Sequence, residues 1–145
     1  MILVHGTCVD LIGGAVLLRG RPGSGKSDLA LRLIEDGGML VADDQVVLQA
    51  AGGRLVAGPP DALAGLLEVR GIGIVRQPFR LSATLRCVID LVSRDEIERL
   101  PEPEMEEFCG LRIPRFRLDA FTASAPAKVR LASRTNPAVR RDEVT

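Results

Sequence analysis

The chain has 145 residues, of which 46% are hydrophobic and 26% charged, so it can form one globular domain with a substantial core and has little room for a second. Lysine plus arginine and aspartate plus glutamate both number 19, so no net positive field favours nucleic acid or an anionic membrane surface. Its 3 cysteines are widely spaced and odd in number, which argues against a disulfide framework or a zinc site.

Hydropathy and aromatic content narrow the class of partner further. No apolar run approaches the roughly 20 residues that a membrane-spanning helix needs, and the N-terminal residues carry no signal-peptide pattern. With only 3% aromatic residues, stacking on nucleic-acid bases is an unpromising mode of recognition. We therefore expect a cytoplasmic protein with neither a nucleic-acid nor a membrane partner.

The first elements are predicted to be strand, loop and helix. The segments "ILVHGTCVDLI" and "GAVLLRG" are aliphatic and meet at two glycines, which predicts a hairpin or two neighbouring strands. From Gly20 to Gly38, "GRPGSGKSDLALRLIEDGG" matches the phosphate-loop pattern G-x-x-x-x-G-K-S/T and continues in good helix formers. Two glycines suit the end of this helix.

The phosphate-loop match is the strongest functional signal in the chain. Glycines allow a tight turn in which successive backbone N–H groups point at one anion, and the following helix adds the positive end of its dipole. Lys26 is expected on the β- and γ-phosphates and Ser27 on Mg²⁺. The residues predicted to bind the nucleotide are Gly20, Arg21, Pro22, Gly23, Ser24, Gly25, Lys26 and Ser27.

The next strand is predicted to end in two acids. "MLVADD" indicates a buried strand followed by Asp43 and Asp44, which we call the aspartate pair, at the sheet edge that carries the phosphate loop. Adjacent side chains on a strand point to opposite sides, so one acid is expected toward the nucleotide and the other toward a second substrate or a supporting partner. The alternative is a solvated Asp-Asp turn.

The elements in the middle of the chain are predicted from its glycines and its apolar runs. "VVLQAAGGRLVAG" indicates a hairpin, "ALAGLLEVRGIGIV" begins helix-like and changes at Gly71 and Gly73, and "LSATLRCVIDLV" indicates a central strand. Within "LLEVRGIGIV", Glu68 is a candidate second oxygen ligand for Mg²⁺, although a surface glutamate before a turn fits the spacing equally well. His5, the only histidine, lies beside an apolar strand, where a structural role is the more frequent one.

The C-terminal third has weaker signals. "SRDEIERL" has a capping-box pattern and predicts a short helix, and "PEPEMEEF" is predicted to be loop or short helix. "LRIPRFRLDAF" is predicted to be extended and "SAPAKVRLASR" helical. Residues 136–145 are polar and are predicted to be a flexible tail.

Taken in order, "VHG" at 4–6, the phosphate loop, "LVADDQV" at 40–46 and "LEVRGIGIV" at 67–75 closely resemble the catalytic domain of HPr kinase/phosphorylase. The resemblance runs over about residues 2–100. It implies an α/β fold in which a central sheet with a phosphate loop is flanked by helices, related to phosphoenolpyruvate carboxykinase. It also implies a short form made of the C-terminal catalytic domain only, here residues 1–135.

The resemblance also implies roles for individual residues. It places ATP on the phosphate loop with Lys26 as a catalytic cation, and Mg²⁺ on Ser27 and Glu68. Asp44 matches the general base that accepts the proton of a serine hydroxyl on the protein substrate.

Four further residues receive roles from the resemblance. His5 matches the active-site histidine, with the aspartate pair as its partner. Arg99, in "IERLPE", aligns with a catalytic arginine. Asp43 and Arg70 are expected to support the site.

The implied function is that of an ATP- and Mg²⁺-dependent serine kinase acting on HPr or an HPr-like phosphocarrier of a phosphotransferase system, as a homo-oligomer that is hexameric in the family. "IPRFRLDAF" lacks the glycine of the family's loop linked to dephosphorylation, so the phosphorylase direction stays open. Two alternatives remain, a small-molecule kinase with the same loop and a non-enzymatic module that binds ATP as a sensor. The acid pair favours an enzyme, because sensing needs no base.

Overall fold

The computed structural model describes residues 1–135, in which a nine-stranded mixed sheet dominates and a separate two-stranded hairpin lies beside it. The tail predicted for residues 136–145 lies outside the described residues. The strands are β1 (Ile2–His5), β2 (Thr7–Leu11), β3 (Gly14–Arg19), β4 (Met39–Ala42), β5 (Gln45–Ala51), β6 (Arg54–Gly58), β7 (Leu66–Val69), β8 (Gly73–Arg76), β9 (Ala83–Leu91), β10 (Glu104–Phe108) and β11 (Leu111–Leu118). The helices are α1 (Lys26–Glu35) and α2 (Ala125–Ser133), with short 3-10 helices at Asp61–Leu63 and Arg94–Glu96.

Strand β9 is the centre of the sheet. The strand order is β1-β5-β6-β9-β3-β2-β4, and β11 also pairs with β9, with β10 beyond it. β3, β9 and β11 run parallel, whereas β6 pairs antiparallel with the first residues of β9. The parallel trio therefore brings three carboxyl ends to one edge of the sheet, and the predicted central strand in "LSATLRCVIDLV" is confirmed.

Two apolar clusters cover the two faces of the sheet. In β3, Val16 and Leu18 pack with α1 and α2, while Ala15 and Leu17 pack into the opposite cluster with residues of β5, β6 and β11. This alternation follows from the period of two along a strand. The α/β fold with a large central sheet is confirmed, and in residues 1–135 both α-helices cover the same face.

Three local predictions were wrong or incomplete. The helix-like start of "ALAGLLE" forms only a three-residue 3-10 helix, because Gly65 at φ 76 redirects the chain into the β7–β8 hairpin. "PEPEMEEF" was predicted to be loop or short helix, but β10 forms there since its glutamates pair with arginines on β3 and β11. At Ser93, the hydroxyl hydrogen-bonds to the side chains of Asp95 and Glu96 and caps no backbone N–H, so a single 3-10 turn replaces the capping-box helix.

The remaining element predictions are confirmed. They include the strands around the first Gly-Gly turn, α1 after the phosphate loop, the β5–β6 hairpin, the extended β11 and the helix α2. Neither helix among the described residues is long and apolar enough to cross a membrane.

Candidate active site

The phosphate loop connects the end of β3 to the start of α1. Gly25 is the N-cap of α1 at φ 97, and Gly23 within the loop has φ 83, both in the left-handed region that glycine adopts without strain. Because Gly25 has no side chain, no side-chain hydrogen bond caps the helix. The first-turn N–H groups have no acceptor inside the helix, so they and the helix dipole suit an anion.

Two further observations fit a phosphate group on this loop. The hydroxyl of Ser24 is buried with no hydrogen-bond partner among the described residues, and a Cβ atom on Gly20 would overlap Ser24. The ammonium of Lys26 donates to the carbonyl oxygens of Gly20 at 2.8 Å and Arg21 at 3.2 Å. A cation and unsatisfied donors are therefore gathered on one short loop.

The aspartate pair reaches the same edge by an indirect route. β4 ends at Ala42, so Asp43 and Asp44 occupy the bend that follows it. β4 is antiparallel to β2, and β2 is antiparallel to β3, so β4 runs in the direction of β3 and delivers its carboxyl end beside the phosphate loop. The Ser27 hydroxyl donates to Asp43 Oδ1 at 3.3 Å, which confirms the predicted meeting of loop and acids.

Asp43 joins three elements through its carboxylate. Besides Ser27, it accepts hydrogen bonds from the hydroxyl of Thr7 at 2.9 Å and from the backbone N–H of Glu68 at 2.9 Å. The Asp43 side chain is consequently buried and immobilised between β2, α1 and β7. Its carboxylate thus lies beside Ser27 in the first turn of α1.

Asp44 has the opposite surroundings. It is exposed and adopts φ 71, and its carbonyl oxygen accepts a hydrogen bond from the N–H of Gly6 at 3.0 Å. The left-handed bend gives the two acids different surroundings, although the pair follows β4 and does not lie on the strand. Their different roles stay a prediction. An exposed carboxylate beside a phosphate site is free to meet a second substrate.

The other predicted site residues lie at different distances from this bend. His5 ends β1 opposite Gln45 and is therefore next to the aspartate pair. Glu68 is exposed on β7, and Arg70 is exposed in the β7–β8 turn. Arg99 is exposed in the loop before β10, and within residues 1–135 no hydrogen bond or ion pair joins it to the other predicted site residues.

The donors near Ser27 suit Mg²⁺ better than a transition metal. The described residues contain no cluster of three or more His, Cys, Asp or Glu side chains that would hold a metal alone. Mg²⁺ is commonly bound by one or two carboxylates together with phosphate oxygens and water. The hydroxyl of Ser27 and the carboxylate of Asp43 would supply such hard oxygen ligands, with Glu68 nearby on β7.

An ion-pair network borders the phosphate loop on its other side. Asp90, at the end of β9, accepts hydrogen bonds from Arg19 at 2.8 Å and Arg115 at 2.6 Å. Glu106 on β10 binds Arg19 at 2.6 Å, and Glu104 pairs with Arg117. Burial alone would raise the pKa of Asp90, but the hydrogen bonds and charges of the two arginines outweigh it and hold the pKa below its usual value.

Sequence reasoning missed Thr7, Arg32 and Asp90. Thr7 had a signal, since it is a hydroxyl residue at the start of a strand that continues with the apolar Cys8 and Val9. Arg32 of α1 donates to the carbonyl oxygens of Ala120 and Thr122, a contact 88 to 90 residues apart that no local pattern reveals. The pairing of Asp90 with arginines on two other strands was equally invisible.

The geometry combines, in an α/β protein, a glycine-rich loop with the phosphate-loop sequence pattern, a buried acid beside it and a second, exposed acid. Comparison with known proteins then gives the family: residues 1–130 match the HPr Serine kinase C-terminal domain. The chain belongs to this family.

Curated relatives agree with the family match. An HPr kinase/phosphorylase of Bordetella pertussis is 39% identical over 127 residues, which cover 79% of this chain and 41% of the relative. Another from Streptococcus thermophilus is 39% identical over 131 residues, with coverage of 82% and 42%. The chain thus spans less than half the length of these relatives.

A solved structure shares the fold. The Hpr(Ser) kinase/phosphatase from Coxiella burnetii superposes with a TM-score of 0.83 at 23% identity, and the match covers 92% of this chain and 89% of that one. This likeness shows that the two chains share their fold over nearly the whole architecture.

Proposed function

We propose that the protein is an ATP- and Mg²⁺-dependent kinase that phosphorylates a serine of HPr or an HPr-like phosphocarrier of a phosphotransferase system. The observation that carries the proposal is the 3.3 Å contact between Ser27 and Asp43, which joins the phosphate loop to the aspartate pair. Family membership supplies the substrate class, since curated relatives are named HPr kinase/phosphorylase.

In this proposal the residues divide the work of phosphoryl transfer. The phosphate loop and Lys26 bind the phosphates of ATP, and Ser27, Asp43 and Glu68 hold Mg²⁺, which neutralises phosphate charge when bound. Asp44 accepts the proton of the substrate's serine hydroxyl. The serine oxygen bonds to the γ-phosphorus while the bond from that phosphorus to the oxygen bridging the β-phosphate breaks. ADP and phosphoserine are the products.

His5, Arg70 and Arg99 complete the proposed site. His5 is next to Asp44 and would help to orient it, while Arg70, on the exposed β7–β8 turn, would support the incoming serine. The role of Arg99 requires the loop before β10 to approach the phosphates when substrate is bound. These three roles, a hexameric assembly and a cytoplasmic location all stay predictions.

The test is transfer of labelled γ-phosphate from ATP to purified HPr-like carriers. Asp44→Ala should lower the transfer rate by about 100-fold or more while the Kd for ATP changes little, because a general base contributes mainly to the rate. Lys26→Met should weaken both ATP binding and transfer. Glu35→Gln, at the far end of α1, is the matched carboxylate control and should transfer at the wild-type rate.

Several outcomes would contradict the proposal. An Asp44→Ala variant with full activity would remove the base assignment. ATP binding without transfer to any carrier would indicate a sensor, and phosphorylation of a metabolite without a protein acceptor would indicate a small-molecule kinase. Repeating the assay with phosphorylated carrier and inorganic phosphate tests the phosphorylase direction, for which pyrophosphate release is the readout.

A further inference from the structure

A wide cleft opens from the phosphate loop on the side away from the aspartate pair. Its volume is about 840 Å³, within the range of roughly 300–1,000 Å³ that small-molecule sites occupy. The cleft, here called the β9–β11 cleft, is lined by the phosphate loop, by the ends of β9 and β11, and by Phe121. The proposed phosphoryl transfer uses neither the ends of β9 and β11 nor Phe121.

Sheet topology places the acids and the cleft on opposite sides of the loop. In the order β4-β2-β3-β9-β11, the phosphate loop follows β3 at the centre, Asp43 and Asp44 follow β4, and the cleft lies over the ends of β9 and β11. A triphosphate on the loop with its terminal phosphate at Ser27 and Asp43 therefore has its other end directed toward the cleft.

Where the cleft wall is formed by the strand ends, its charges are balanced, which suits an uncharged group. Arg19 and Arg115 are both paired with Asp90, and Arg117 is paired with Glu104. Arginines that already bind carboxylates have little charge left for a second phosphate. Arg21 and Arg94 also line the cleft and are exposed. The paired arginines leave the wall formed by the ends of β3, β9 and β11 with little free positive charge.

Phe121 is held rigidly at the mouth of this cleft. Its N–H donates to Asp119 Oδ1 at 2.9 Å, and Arg32 binds the carbonyl oxygens on either side of it, at Ala120 and Thr122. A Cβ atom added to Gly25 would lie 3.3 Å from the Phe121 ring, so the ring edge borders the phosphate loop. The side chain nevertheless remains 69% exposed, which leaves ring surface available to a ligand.

We propose that the β9–β11 cleft binds the nucleoside of a nucleoside triphosphate, with the base stacked on the ring of Phe121. The inference rests on the proposed function, because it takes the triphosphate to lie on the phosphate loop. Every base offers a π-face to an aromatic ring, so stacking supplies affinity without requiring a hydrogen-bonding partner. Phe121 is accordingly a binding residue for the nucleoside and takes no part in proton transfer.

The test compares binding of ATP and of tripolyphosphate by calorimetry, both with Mg²⁺. Wild type should bind ATP at least about tenfold more tightly than tripolyphosphate, since stacking on one aromatic ring contributes on that order. Phe121→Ala should remove most of this preference and leave the Kd for tripolyphosphate unchanged, while Phe121→Tyr should retain it. Ile12→Ala is the control, because Ile12 is a fully exposed apolar residue in the β2–β3 turn at the opposite end of β3.

Each outcome decides the proposal. Equal affinity of wild type for the two ligands, or equal weakening of both by Phe121→Ala, would overturn it, the second because it would indicate a distorted phosphate loop. An ATP preference that depends on Phe121, in a protein that transfers phosphate to no carrier, would support the nucleoside site and reject the proposed kinase. Failure to bind either ligand would reject both.

Discussion

The carboxylate of Asp43 accepts hydrogen bonds from Thr7, Ser27 and the backbone of Glu68, whereas the adjacent Asp44 is exposed at φ 71. Neighbours in the chain thus differ in burial, partners and backbone conformation. Such a difference is expected to separate their effects on stability, metal binding and rate. The single-residue predictions rest on this separation and on the burial of two thiols.

Asp43→Asn is predicted to destabilise the fold and to weaken Mg²⁺-dependent ATP binding. The amide loses the charge and one acceptor that Thr7, Ser27 and Glu68 share, which should cost about 1–3 kcal/mol of unfolding free energy. Urea unfolding measures this loss, and titration of ATP with and without Mg²⁺ measures the binding. Asp44→Asn is the matched variant and should change neither quantity; equal effects of the two substitutions would contradict the division of roles.

The cysteines are predicted to differ in reactivity. Burial, and next the negative charge of Asp10, raises the pKa of Cys8 far above its ordinary value, and burial raises the pKa of Cys87 to about 12. Because the thiolate is the reactive form, only Cys109, which is partly exposed, should react with an aromatic disulfide reagent in native protein near pH 8. Absorbance should report one thiol before denaturation and three after it; two fast native thiols would refute this.

At the scale of an element, the N-terminus of α1 depends on the backbone of the phosphate loop and on its contact with the segment before α2. A Cβ atom on Gly25 would lie 2.8 Å from Cβ of Ala120, whereas one on Gly23 would meet nothing within 4 Å. Both glycines have positive φ, so alanine would be strained at either position, and the two substitutions differ only in steric overlap.

Gly25→Ala should therefore cost more than Gly23→Ala. The left-handed conformation costs each alanine variant about 1–2 kcal/mol of unfolding free energy. Only Gly25→Ala also displaces Ala120 and the start of α1. Thermal unfolding should show the larger loss for Gly25→Ala, and its Kd for ATP should rise more. If the two variants were equally stable, the contact between the phosphate loop and Ala120 would have no energetic role.

Across the whole molecule, the ion-pair network joins β3, β9, β10 and β11 at the edge that carries the site. Asp90, with its side chain only 15% exposed, pairs with Arg19 of β3 and Arg115 of β11, and Glu106 of β10 also pairs with Arg19. The arginines hold the pKa of Asp90 below its usual value against the opposing effect of burial. A carboxyl with a lowered native pKa stabilises the fold above its unfolded pKa and loses that contribution as pH falls.

Asp90→Asn is predicted to lower stability by about 2 kcal/mol at neutral pH, since charged hydrogen bonds to Arg19 and Arg115 are lost. The gap between wild type and variant should be complete above about pH 5 and should narrow as pH falls below about 4, because Asp90 is protonated first in the unfolded chain and only at lower pH in the native protein. Urea unfolding across this range measures the gap. A gap that stays constant down to pH 2 would show that the charge of Asp90 contributes nothing.

Local patterns in the sequence determined the phosphate loop, α1, the β2–β3 and β5–β6 hairpins and the central strand, because glycine spacing, helix propensity and strand periodicity act over a few residues. Motif order determined the family. The sequence also predicted that the aspartate pair and the phosphate loop would meet. Only the tertiary structure showed that β4 reaches this edge through two antiparallel pairings, and that Asp43 is buried whereas Asp44 is not.

Only the tertiary structure decided the conformation of β10 and the walls of the β9–β11 cleft. The acidic run before Phe108 becomes a strand because arginines up to 87 residues away neutralise it, and Phe121 is placed by Arg32 from 88 to 90 residues away. Such pairings depend on which strands and helices become neighbours in the folded chain. Composition and local hydrophobic periodicity do not specify which strands and helices become neighbours, so these features could be seen only in the folded structure.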